Sequence, residues 1–321
     1  MNYNFVIFAT VFDWYRYMYQ DILGQENVQF YGDINELFNP IERALYKVHF
    51  SKKINKIMNL PGKEIWFKRA LKKIQFQNSN SVCFIWYSHF LTEIKRGMVE
   101  AIKKEMPDSK HVYYITDAKH ADAEELDWLK QKMDAIGVFD PTIAEAHDIE
   151  FWPNVYPSTK EQKYEEEYDL CFIGKDKGRK SKLEEIALLC EEKGLRTAFY
   201  LMTPSKERPA QNIHYIDELI PYKKTLEIML KSKCLLELKM DNLNTCSVRV
   251  QEAVIFNKKL LTDNKNVAKM PCCADSQYIS YFDTVEEIDW NFVKEPENVD
   301  YHYAGEFSAK AFLETIQEKL Q

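Results

Sequence analysis

Short apolar runs recur along this chain, and a helix-like stretch follows nearly every one. Asn4–Ala9, Ser81–Tyr87, His111–Thr116, Ala135–Phe139, Asp169–Ile173, Arg196–Met202 and Cys234–Lys239 are the clearest, with Val28–Tyr31, Asn212–Tyr215 and Leu260–Thr262 shorter. Runs this short and this continuously apolar are strands covered on both faces. Strands separated by helices pair parallel through crossovers, so the rhythm predicts an α/β fold. It breaks once, between Phe151 and Tyr168, where Pro153, Pro157 and Ser158 lead into the charged run KEQKYEEEY. Such a stretch is a natural domain boundary, and 321 residues suit two domains. Helices are expected over about 35–76 with an interruption at Pro61 and Gly62, and over 92–104, 121–133, 178–193, 222–232 and 307–320, with a short one ending at His147.

Composition narrows the function classes. A formal net charge of −7 argues against general nucleic-acid binding. No apolar run approaches the ~20 residues of a spanning helix. The start, MNYNFVIFAT, lacks a basic region and a cleavage site and reads as a first strand rather than a signal peptide. Seven cysteines, an odd number lying mostly inside strand or helix runs, fit buried thiols in the cytoplasm. His120 and Asp122 near Asp117 read as helix-start residues more readily than as a metal cluster. One segment runs against the acidic total. Over 52–74, Trp66, Phe67, Ala70, Leu71 and Ile74 share one helical arc and Lys68, Arg69, Lys72 and Lys73 the other. Two readings stand: peripheral docking on an anionic membrane at the inner face of the plasma membrane, or a surface helix packed on its own domain.

Two stretches carry chemistry. Asn244–Asn264, NTCSVRVQEAVIFNKKLLTDN, reads as a helix running into a buried strand, with Asn244, Thr245 and Ser247 as capping oxygens. Arg249 sits near the helix start, where the dipole disfavours a cation unless an anion lies between them. Glu252, one turn on, is an acceptor suited to sugar hydroxyls. The alternative is an ordinary amphipathic helix with Arg249 and Glu252 solvated or paired. The second stretch is FIGKDKGRKSKLEEI, in which Gly174 follows a strand and Gly178 and Arg179 open a helix amid Lys175, Lys177, Lys180 and Lys182. Strand, glycine turn and helix start form the phosphate position of a doubly wound sheet. The spacing is neither G-x-G-x-x-G nor a P-loop, which disfavours dinucleotide redox enzymes and P-loop kinases.

With these motifs the chain resembles bacterial glycosyltransferase-like proteins of capsule, lipopolysaccharide and exopolysaccharide assembly and the related spore-maturation type. FIGKDKGRKSKL is similar to their strand-turn-helix, SVRVQEAVIFNKKLLTDN to their S/T-x-R-x-x-E-A helix with its following strand, and DAIGVFDPTIAEAHDIEFWPNVY to the end of their first domain. The resemblance covers about 81–284, and the first eighty residues match loosely. It implies a GT-B-like fold, two Rossmann-like doubly wound parallel-sheet domains facing a cleft. Residues 1–158 would form the acceptor side, 159–302 the nucleotide-sugar side, and 303–321 a terminal helix packing back on the first domain. It implies a metal-independent hexosyltransferase with a nucleotide-diphosphate sugar as donor and a glycan or lipid-linked acceptor, with no cofactor. By position, Glu252 would hold the donor's ribose, Arg249 and Arg179 its diphosphate, Ser247 and Thr245 would add phosphate contacts beside Gly174 and Lys175, and Tyr222 would lie near the base.

Two departures stand out: Asn244 occupies a position where better-known relatives carry glutamate, and TVFDWY replaces a glycine-rich loop. An inverting reaction needs a general base from the first domain. Asp13, His89 and Asp117 all follow strands there, with Asp13 preferred; a retaining reaction needs none of them. A non-catalytic GT-B-like partner or glycan-binding subunit and a nucleotide-sugar epimerase are the other readings.

Overall fold

The computed structural model describes residues 3–9, 13–58, 60–117, 122–157, 164–240 and 246–321, the side chains at 13, 14, 52 and 57 excepted. Contacts divide the chain into two units, 1–158 with 307–321, and 159–306.

The first unit is built on a six-stranded parallel sheet. Its strands are β1 (Tyr3–Phe8), β2 (Val28–Tyr31), β3 (Ser81–Tyr87), β4 (Lys110–Ile115), β5 (Ala135–Val138) and β6 (Glu150–Phe151). Their spatial order is β2-β1-β3-β4-β5-β6, with Ile7 beside Ile85 and Ile85 beside Val112. Chain direction across the sheet therefore reverses between β1 and β3. The central strands are buried on both faces, which is why they read as unbroken apolar runs.

The helical region after β2 is four pieces rather than two. A 3-10 turn (Ile34–Leu37) precedes α2 (Pro40–Phe50), α3 (Lys52–Ile57) and α4 (Glu64–Leu71), α1 being Asp13–Met18. Asn39 opens α2 with a capping box to Glu42, and Ser51 ends α2 while capping α3. The apolar arc of α4 is buried, and three of its basic neighbours have carboxylate partners: Lys68 with Glu105, Arg69 and Lys73 with Glu42. That arc is core, so it is unavailable as a membrane face. The helix expected over 92–104 is broken at Gly97, whose φ of 85° separates α5 (Leu91–Lys95) from α6 (Met98–Glu105). Asp122 caps α7 (Ala123–Lys130), and Asp140 with Pro141 opens α8 (Pro141–His147). His120 lies outside the described residues.

In the second unit the strands are β7 (Tyr168–Lys175), β8 (Thr197–Met202), β9 (Ile213–Ile216), β10 (Ser232–Glu237), β11 (Lys259–Thr262) and β12 (Ile279–Tyr281). The order β12-β11-β10-β7-β8-β9 is all parallel. Counted from β7, this is the 3-2-1-4-5-6 Rossmann order. Helices α9 (Lys180–Glu192), α10 (Tyr222–Leu230), α11 (Val248–Ile255) and α12 (Trp290–Lys294) alternate with the strands.

The last helix, α13 (Ala309–Lys319), belongs to the first unit. Ser308 caps it, and the Tyr156 amide donates to the Phe307 carbonyl at 2.7 Å. Phe312 packs among Tyr19, Tyr114 and Trp152 with ring centroids 5.1–6.3 Å apart. None of the seven cysteines is in a disulfide, and six are buried. Among the described residues no helix is long and apolar enough to cross a membrane.

Candidate functional site

The crossovers of a Rossmann-ordered sheet leave in opposite directions from strands one and four, which opens a crevice beyond their C-terminal ends. Here those strands are β7 and β10. A cleft of ≈ 230 Å³ lies there, lined by Phe172–Lys175 of β7, by Lys177 and Arg179 of the turn after it, by 236–240 at the end of β10 and just past it, and by Ser247–Arg249 at the start of α11. Five cations line it (Lys175, Lys177, Arg179, Lys239 and Arg249), against one acid, Glu237.

The turn after β7 is tight. The Arg179 amide donates to the Asp176 carbonyl at 2.9 Å, with Lys177 (φ 44°) and Gly178 (φ 87°) both left-handed between them. Gly178 takes that conformation freely, whereas Lys177 does so at a cost. Asp176 fixes the turn, accepting from the Gly178 and Lys180 amides at 3.2 Å and from the Thr203 hydroxyl at 2.7 Å. A Cβ on Gly174 would stand 3.1 Å from Arg179 Nη2 and 3.2 Å from the Phe172 ring, so the glycine lets the guanidinium fold back along the strand.

Arg179 stacks over Phe172 at 5.2 Å and donates to the carbonyls of Asp176, Leu238 and Lys175. Three of its five N–H donors are thus committed to main chain, joining the ends of β7 and β10. Burial lowers its pKa from the ordinary arginine value, with Glu237 and Asp176 pulling the other way.

Arg249 is held as firmly. Its Nη2 donates to the Ile173 carbonyl at 3.3 Å, and Nη1 lies 2.6 Å from Glu252 Oε2. That close contact is an ion pair off the geometry of a good hydrogen bond, since the same two atoms make no hydrogen bond that meets angular criteria. Burial works against the Arg249 charge, and Glu252, helped by Cys171 and Tyr222, offsets it, so its pKa is raised. Glu252 is fully buried and also accepts from the Tyr222 hydroxyl at 2.9 Å. Neither Glu252 nor Tyr222 lines the cleft. The carboxylate pairs with Arg249, and the Tyr222 phenol donates to the carboxylate.

Ser247 caps α11 with its hydroxyl accepting from the Arg249 amide at 3.3 Å. Thr245 and Asn244 lie outside the described residues. Sequence reasoning missed Glu237, at the end of β10. It is 2% exposed, accepts from the Ser247 amide at 3.1 Å and from the Thr262 hydroxyl, and burial raises its pKa. It therefore anchors the start of α11 from beneath. Asp263 was missed as well: it accepts from the Lys239 amide at 2.7 Å and pairs with Lys182 at 2.6 Å. The only local signal for Glu237 was an acid closing an apolar strand run. Among the described residues, no carboxylate pairs with Lys175, Lys177 or Lys239.

The three base candidates follow β1, β3 and β4, adjacent strands of the first sheet. Asp13 opens α1, and its side chain lies outside the described residues. His89 is exposed in a 3-10 turn after β3, its ring 4.7 Å from that of Phe90. Asp117 is exposed just past β4. Tyr15 of α1 bridges toward it: burial raises the phenol's pKa, a hydrogen bond to Thr116 opposes, and the Asp117 charge adds to the rise. Among the described residues no three His, Cys, Asp or Glu side chains are grouped to hold a metal ion.

No protein-family model matches the chain, and no curated protein matches it in sequence. Solved structures do match. One is a UDP-forming α,α-trehalose-phosphate synthase from Burkholderia xenovorans, 10% identical, with a TM-score of 0.56 over 99% of this chain and 98% of that one. At that identity the likeness is one of fold, and the chain has the GT-B fold of two Rossmann-like parallel-sheet domains.

Proposed function

We propose that this chain is a nucleotide-sugar-dependent glycosyltransferase of the hexosyl type. It passes a sugar to a hydroxyl of a surface-polysaccharide or glycolipid acceptor. The observation that carries the reading is the cation-rich cleft at the switch point of a Rossmann-ordered sheet, five cations to one buried acid. The likeness in fold to an enzyme named as UDP-forming supports it.

In this reading the donor's diphosphate lies against Arg179, Arg249 and the start of α11, and Lys175, Lys177 and Lys239 close on it. An acceptor oxygen attacks the anomeric carbon, the bond from that carbon to the diphosphate oxygen breaks, and the hydroxyl proton passes to a base. Charge grows on the leaving diphosphate as the bond breaks. Donors already fixed in place stabilise that charge without reorganising during the reaction. Main-chain carbonyls fix both guanidiniums, and in this reading Lys175, Lys177 and Lys239 supply the charge that neutralises the leaving group without a metal. Glu252 is a positioning residue for Arg249, and Asp13 is the first candidate base, with His89 and Asp117 beside it.

The test is thermal stability against UDP, GDP, CDP and dTDP. A ligand at 100 times its Kd adds about 2.7 kcal/mol. One nucleoside diphosphate should raise the melting temperature, and Lys175→Glu with Lys239→Glu, both at exposed positions, should remove the rise. No response to any of the four at millimolar concentration sinks the reading. Binding without nucleotide release in the presence of acceptor marks a glycan-binding subunit, and sugar interconversion without acceptor marks an epimerase.

A further inference from the structure

Helix α2 carries its apolar residues on the wrong side for a packed helix. At 100° per residue, Ala44, Val48, Ile41 and Leu45 fall within an arc of about 100°. All four are exposed, Ile41 at 75% and Leu45 and Val48 at 54% each. The opposite side of the helix packs inward, with Tyr46 buried against Trp66 of α4 and His49 accepting from the Trp66 indole at 2.9 Å. Two further apolar side chains of the same helical region are exposed, Met58 after α3 at 61% and Ile65 on α4 at 53%. Single exposed apolar residues are ordinary, but an apolar stripe along a whole helix marks an interaction surface.

Charge identifies what covers it. Residues 40–74 hold ten lysines and arginines against two glutamates, a local charge of +8 in a chain whose total is −7. The glutamate of α2, Glu42, already serves Arg69 and Lys73. Lys47, Lys53 and Lys56 are exposed and have no ion-pair partner among the described residues. A second copy of this face would set two strongly positive surfaces against each other. An anionic bilayer supplies both requirements, an acyl boundary for the stripe and headgroup phosphates for the lysines.

We propose that the α2 face of the first unit docks on a bilayer of anionic phospholipid, with Ile41, Leu45 and Val48 entering the acyl boundary and Lys47, Lys53 and Lys56 meeting headgroup phosphates. The surface lies outside the cation-rich cleft of the second unit, and its test does not depend on donor binding.

The test is co-flotation of the full chain with vesicles of phosphatidylcholine alone or mixed with phosphatidylglycerol. The chain should float with the mixed vesicles at least tenfold better than with the neutral ones. Lys53→Glu with Lys56→Glu should weaken that binding by roughly thirtyfold or more, from the usual contribution of each basic residue near an anionic surface. Ile41→Ser with Leu45→Ser should abolish it with the melting temperature unchanged, because both positions are solvent-exposed. Equal flotation with neutral vesicles, or full binding by the serine variant, overturns the proposal. So does a wild-type dimer by light scattering that the serine variant dissociates, which would assign the face to a second copy.

Discussion

Arg249 and Glu252 give the sharpest test of how the cleft is built. Their contact is 2.6 Å, the carboxylate is fully buried and the guanidinium nearly so, with side-chain exposures of 0% and 11%. Removing one partner leaves the other charged and buried, which costs about 3–5 kcal/mol. Replacing both by neutral groups of similar volume removes the desolvation penalty along with the attraction, and is often close to neutral. Glu252→Gln and Arg249→Met should therefore each lower the stability of the second unit by about 3–5 kcal/mol, while the double variant stays within about 2 kcal/mol of the parent. The two units need not unfold together, so one melting curve is a poor readout. Hydrogen exchange of peptides from β7 and β11 reads the second unit directly, with peptides from β3 and β4 as the internal reference. The expected acceleration in each single variant is between about two and four orders of magnitude, at 1.36 kcal/mol per tenfold. Single losses below about 1 kcal/mol, or a double variant that adds the two single losses, would refute the account of Glu252 as the buried counter-charge that positions Arg249.

Two further outcomes follow from the first unit. A Cβ on Gly137 of β5 would stand 2.0 Å from the Trp152 ring, which is itself buried, so Gly137→Ala should destabilise this unit by roughly 1–3 kcal/mol or more through overpacking, measured by urea unfolding. His111 is fully buried, its Nδ1 accepting from the Trp86 indole and its Nε2 bonded to Ser109, whose hydroxyl donates to the Met106 carbonyl. Only the neutral ring with its proton on Nε2 satisfies that chain, and burial lowers its pKa from 6.5 to about 3, with Lys103 assisting and Asp134 opposing. Between those values the unfolded chain binds a proton that the folded one refuses, so stability is level above pH 6.5 and falls as pH drops toward 3, by on the order of 5 kcal/mol in all. Acid unfolding of His111→Gln should lack that part of the slope; an identical pH profile in the variant would refute the assignment.

The α/β rhythm was legible because strands covered on both faces need continuous apolar runs, and such runs as Ser81–Tyr87 stand out against charged helices. Elements that escaped were too short to show a period: β6 has two residues, β12 three and α12 five. The break at Gly97 was hidden because residues on both sides keep helical spacing while one φ of 85° redirects the chain. Reading 35–76 nearly as a single helix had a larger consequence. It drew attention to the buried arc of α4 and away from the outward stripe of α2, which appears only when Asn39 and Ser51 are recognised as caps. Side-chain partners were least legible where they are far apart in sequence: Glu237 meets Thr262 25 residues on, and Lys182 meets Asp263 81 residues on.

An arginine near a helix start points in the sequence to a bound anion, and in the structure the two arginines are held by different partners. Glu252 balances the Arg249 charge, and Arg179 is tied down by carbonyls at the ends of both central strands. The arginines therefore contribute fixed geometry more than surplus charge. The surplus comes from Lys175, Lys177 and Lys239, exposed and without carboxylate partners among the described residues, facing a Glu237 whose burial favours its neutral form. Guanidiniums tied to main chain and exposed ammonium groups on flexible stems are different instruments: under the proposed function the first would set where a diphosphate lies, and the second would adjust to it and screen its charge. Substituting a lysine should therefore weaken affinity in a salt-dependent way, whereas disturbing an arginine should displace the ligand and slow any reaction that depends on its alignment.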